Sequence, residues 1–229
     1  MTLCRQIDDA WGTAFALLVL GMIAILTGDS PRGMALSAQS KALFERLGDR
    51  QAVTILLVNL GIASRNLGDA QGSAEAAFED IVAVARETND PTCMAVALQH
   101  LGQLAGQRGE WTRAAALLRD SLEAYLEVSE TYIASFGLLE DSARVAMARA
   151  EPERAARLLG AAAAQRDALA TPVQPSQRSA YEAVVGDVRA VLGGRFAAEW
   201  TRGRAMSLDD AIEEARAVSP PAISPAEGL

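Results

Sequence analysis

Lysine is almost missing from this chain: Lys41 stands alone among 229 residues, and the remaining basic side chains are arginine. Histidine is as scarce, with His100 the single copy. Two cysteines, Cys4 and Cys93, lie far apart and without CxxC spacing, and aromatic residues make up only 5%. Each shortage excludes something. One imidazole with no nucleophile or orienting carboxylate beside it does not make a general base, and zinc needs further His or Cys at ligand spacing. Isolated cysteines read as small buried hydrophobes in a reducing, cytoplasmic setting. A GxxxxGK[ST] phosphate loop is absent too, as is a helix-turn-helix with a basic face. No enzyme, cofactor or metal site is expected.

The charge balance narrows the partners. A formal net charge of −8 and a pI of about 4.8, with the arginines scattered, repel a phosphate backbone, so direct nucleic-acid binding is not expected. The segment Met1 to Asp9 has no basic n-region and carries two aspartates, which argues against a secretory leader. From Ala10 to Gly28 the chain is uncharged, close to a membrane span in length, but its flanks are acidic where Lys or Arg would set an orientation. A membrane-anchored scaffold is therefore the weakest reading.

What is present is a period. Leu20-Gly21 returns as Leu60-Gly61, as Leu101-Gly102 and, altered, as Ser142-Ala143, at steps of 40, 41 and 41 residues. Gly28-Asp29, Gly68-Asp69, Gly109-Glu110 and Ala150-Glu151 keep the same time. Two independent marks at one period mean an array of a repeated supersecondary unit. The apolar run 10–28 carries both marks, so it reads as the first helix of a repeat.

Aligned on Gly21, Gly61, Gly102 and Ala143, the units share Leu17, Leu57, Leu98 and Leu139 four residues earlier. Small residues stand three and twelve later: Ala24, Ser64, Ala105, Ala146, then Gly33, Ser73, Ala114, Ala155. Offsets −4, 0 and +3 share one helical face, and the small positions admit a neighbouring backbone. The Gly-acid pairs stop one helix and open the next; Leu47-Gly48-Asp49 and Thr88-Asn89-Asp90-Pro91 separate units, and Ser129-Glu130-Thr131 does so in degenerate form. The units span about 10–48, 50–89, 91–129 and 131–169. Residues 170–178 read as a linker, 179–218 as a helical cap with a helix from about 178 to 192, and 219–229 as a disordered tail.

This pattern resembles the tetratricopeptide repeat, whose usual unit is about 34 residues. The longer spacing implies helices longer by about a turn each. The expected fold is all-α: a right-handed α-solenoid of about four such helix-turn-helix repeats with a C-terminal helical cap. The stretch from Pro152 through Arg-Leu-Leu-Gly160 and Tyr181 to Phe196, Trp200, Gly203 and Ile212 resembles the C-terminal end of large bacterial LuxR-type (MalT-like) and antibiotic-regulator-type ATPase regulators. That resemblance implies a non-catalytic sensor or protein-interaction arm of a bacterial transcriptional regulator, either stand-alone or truncated. It carries over neither ATPase nor DNA-binding activity.

On stacked repeats the first helix of each unit lines the concave groove. The groove positions include Val58, Asn59, Ile62, Arg65 and Asn66 in the second unit, Gln99, His100, Gln103 and Gln107 in the third, and Glu140, Asp141 and Arg144 in the fourth. This amide-rich set suits an extended peptide or, alternatively, a small polar effector. Without Lys it suits a C-terminal carboxylate clamp poorly. In the first unit the same positions are Phe15, Leu18, Val19, Met22, Ile25 and Leu26. A helix apolar all round calls for burial on all sides, so Phe15, Leu18, Met22 and Ile25 are expected to meet a partner or a second copy.

Overall fold

The computed structural model describes residues 9–68, 72–128 and 136–218. Their regular elements are all helical: α1 (Ala10–Leu26), α2 (Ser30–Leu47), α3 (Arg50–Asn66), α4 (Ser73–Thr88), α5 (Pro91–Gln107), α6 (Trp111–Val128), α7 (Phe136–Ala148), α8 (Pro152–Ala168), α9 (Pro175–Leu192), α10 (Phe196–Arg204) and α11 (Leu208–Arg216). A 3-10 turn, Gly193–Arg195, joins α9 to α10. The chain divides into two compact units, Met1–His100 with Gln174–Gln177, and Leu101–Val173 with Arg178–Leu229. Helix α9 begins at Pro175, earlier than the expected position near 178, because Pro is well tolerated in a first turn. Asp69, Cys4, the boundary at 129–131 and the segment 219–229 lie outside the described residues. Among those described, no helix is long and apolar enough to cross a membrane.

Local chemistry sets the helix ends. The carboxylate of Asp9 accepts from the Gly12 amide at 2.8 Å, Asp29 from Arg32, Asp49 from Ala52 at 3.0 Å and Asp90 from Cys93 at 3.0 Å. Each satisfies an amide that the first turn would otherwise leave open. The opposite ends share one closure. The Asp29 amide donates back to the Ala24 carbonyl while Gly28, at φ 95°, donates to Ile25. The same pair of bonds recurs at Gly109-Glu110 and at Ala150-Glu151. Ala150 adopts φ 60°, where its Cβ is costly and its three counterparts are glycine. Glu151 departs from the expected cap: it makes no side-chain bond to the helix start, and its carboxylate pairs with Arg154 instead.

The small residues of the repeat sit where paired helices cross. A Cβ on Gly21 would come 2.7 Å from Ser37 Oγ and 3.3 Å from the Gly33 carbonyl, so α1 and α2 touch nearly backbone to backbone. At the equivalent crossings Gly61 meets Phe78 and Gly102 meets Leu118, while Ala143 is fully buried. In the first unit α1 packs on α2 and α3, α2 on α3, and α3 on α4. Ala14, Leu18, Phe44, Ala52 and Leu56 form the core between them. In the second unit α8 is enclosed by α7, α10 and α11. Arg157 on α8 ties the last two down, bonding Glu199 at 2.9 Å and Glu214 at 2.8 Å through Nε. Sequentially packed helical hairpins closed by a helical cap are the architecture expected of the repeats.

Candidate functional site

Repeat register locates the surface left open. In α3, the positions nine and five before the Gly column and two after it are Ala52, Leu56 and Ala63, with relative exposures of 9%, 0% and 0%. Ala52 and Leu56 pack on α1 and α2, the preceding repeat. The corresponding residues of α1 are Gly12, Ala16 and Ile23. Ile23 is 48% exposed, against 0% for Ala63. At this position α1 leaves open what α3 covers, while Gly12 and Ala16 are half-buried.

Other large apolar side chains are exposed elsewhere around α1, with Trp11, Phe15 and Met22 together on the side that carries the groove positions. Trp11 and Phe15 are 51% and 47% exposed and stack on each other with ring centroids 5.2 Å apart. Trp11 also meets Phe44 edge-on and donates to Asp49 Oδ2 at 3.3 Å, which holds the indole in place. Met22 lies on the same side as these two rings, whereas Leu20 and Ile23, also exposed, lie elsewhere around the helix. Of the four residues expected to meet a partner, two face outward and two do not. Phe15 and Met22 are outward, but Leu18 and Ile25 are 8% and 3% exposed and belong to the protein's own interior. Leu18 joins the core with Ala14 and Phe44, which sit on its side of the helix. Trp11, Leu20 and Ile23 were missed. Comparing each α1 position with its burial-demanding equivalent one repeat later would have found Ile23.

The polar residues expected in the groove fall into two groups, one in each unit. In the first, Arg65 Nη1 lies 2.8 Å from His100 Nδ1, and the His100 ring stacks on Phe78 with centroids 4.9 Å apart. A guanidinium has only donors, so Nδ1 is the acceptor of this contact. Asn66 donates to Ser30 Oγ at 3.4 Å. Asn59 and Gln99 are buried, at 6% and 8% exposure, and are not presented as an open surface.

In the second unit Asp141 accepts from Gln103 at 2.6 Å and from Arg144 at 2.7 Å. Gln107 is exposed. Glu140 is not a surface group. It is buried and paired with Arg166 Nε at 2.8 Å, where burial pushes its carboxyl above the usual range while the Arg166 hydrogen bond and charge oppose the shift. Of the expected polar set, Arg65, His100, Gln103, Glu140, Asp141 and Arg144 bond to neighbouring groups, Asn59 and Gln99 are buried, and Asn66 and Gln107 are exposed. No group of three or more His, Cys, Asp or Glu able to hold a metal occurs among the described residues.

Fold and surface together define a helical-repeat protein of the tetratricopeptide-like class. Residues 38–108, from within α2 to just beyond α5, match the family model described as Anaphase-promoting complex subunit 5. No curated protein matches the chain.

Proposed function

We propose that the chain is a non-catalytic protein-interaction scaffold whose principal contact is made by the open face of α1, with a second copy of the chain as its occupant. The exposed aromatic side of α1 carries this reading. Trp11, Phe15 and Met22 lie on one side of the helix and are 39–51% exposed, with the two rings stacked on each other. Helix α1 bears no charge along its length, so two copies meet without like-charge repulsion. Helices α10 and α11 cover α8 in the second unit, which disfavours open head-to-tail stacking and favours a closed two-fold pair.

The match to the Anaphase-promoting complex subunit 5 model supports a scaffold role, since it falls on the repeats. The resemblance of residues 152–212 to the ends of LuxR-type regulators supports a finer reading: this is an arm of a bacterial transcriptional regulator, working in the cytoplasm. Asn66 and Gln107, the exposed members of the polar set, are the residues through which an extended peptide would be met.

Light scattering over a concentration series tests the reading. A dimer is expected for the natural sequence and a monomer for Phe15→Glu and Met22→Glu, with unchanged helical circular dichroism. A monomer at every concentration, or a dimer that survives both substitutions, would overturn it.

A further inference from the structure

The second unit holds a hollow of about 430 Å³ between the end of α8, residues 170–173, Tyr181 of α9 and Arg204 of α10. Volumes of this size admit a small organic ligand. Its polar wall is formed by Arg166, Asp167, Tyr181 and Arg204, and its apolar wall by Ala163, Ala170, Pro172 and Val173.

The two arginines differ in how they are held. Arg166 is 5% exposed and fixed by the buried Glu140, so its positive charge lies rigidly at the inner wall. Arg204 pairs with Asp167 at 2.9 Å, but those side chains are 41% and 68% exposed. Exposed pairs of this kind are weak and exchange readily. The Tyr181 hydroxyl has no hydrogen-bond partner among the described residues. Burial, with the nearby Glu140 charge, pushes its phenol above the ordinary value, which keeps it protonated as a donor.

We infer that this hollow binds a small carboxylic acid with an apolar body. The ligand carboxylate takes the place of Asp167 on Arg204 and accepts from Tyr181, while its carbon skeleton lies on Pro172 and Val173. Charge counting favours a single carboxylate. Glu140 and Asp167 already balance the two arginines, and Asp167 stays tethered beside the site, so a monocarboxylate adds one negative charge where a phosphate dianion adds two. The site belongs to the second unit alone and is independent of the α1 contact.

Calorimetric titration of the full chain with benzoate tests it, alongside its neutral isostere benzamide and inorganic phosphate. Saturable one-site binding of benzoate is expected, with none for benzamide. Affinity should fall about tenfold in Arg204→Gln and several-fold in Tyr181→Phe, from loss of charge-assisted and neutral hydrogen bonds respectively. It should rise in Asp167→Asn, which removes the competing carboxylate at an exposed position where folding is not at risk. Equal binding of benzamide, tighter binding of phosphate, absence of saturable benzoate binding, or variants that match the natural chain would each overturn the assignment.

Discussion

Gly203 lies against the backbone of Arg157: a Cβ added there would overlap the Arg157 carbonyl and sit 2.6 Å from its Cα. One turn away, Gly160 presses in the same way on the backbone of Trp200. Helices α8 and α10 are thus locked at a distance that only glycine permits. Gly203→Ala should destabilise the second unit by about 1–3 kcal/mol, the usual cost of overpacking. Urea denaturation read by Trp fluorescence measures it, and a midpoint equal to that of the natural chain would refute the lock.

The buried pair Glu140–Arg166 makes an asymmetric prediction. Both side chains are 6–7% exposed, so removing one strands the other charge in the interior. Glu140→Leu alone should cost about 3–5 kcal/mol, whereas the double change Glu140→Leu with Arg166→Met should recover much of that loss. Chemical denaturation of the two variants decides between this and simple additivity.

Ala150 offers a gain. It holds a left-handed conformation that its counterparts Gly28, Gly68 and Gly109 adopt without a Cβ. Ala150→Gly should stabilise by about 0.5–1 kcal/mol, relief of strain exceeding the added freedom of the unfolded chain. A higher thermal midpoint is the expected readout.

Cys93 should be silent in the native state. Burial first, then its contact with Asp90, pushes the thiol up to about 12. The folded form therefore resists ionisation after the unfolded thiol has begun to ionise. Stability from this group is full below about pH 9 and lost progressively as pH rises toward 12. In a Cys4→Ser background, a disulfide reagent at pH 8 should label Cys93 only after denaturant is added.

The hairpins were legible because their signals are local. Asp29 caps and Gly28 closes within four residues of one another, and the small column at Gly21, Gly61 and Gly102 marks each crossing directly. The inner side of α1 was not legible, since a helix apolar at nearly every position carries no periodic contrast to separate Leu18 from Phe15. Nor was the ion pair of Glu140 with Arg166, 26 residues apart on different helices. Its formation depends on where α8 crosses α7, which no spacing along the chain encodes. The hollow beside Tyr181 escaped for the same reason, drawing on three separate segments with no common period.

The lengths of the repeat helices have a last consequence. At 17 residues α1 extends about 25 Å, nearly five turns, where an ordinary helix of 11 or 12 residues offers about three. A visiting helix of common length would leave part of that strip wet. Only an equally long rod, such as another α1, dries it from end to end.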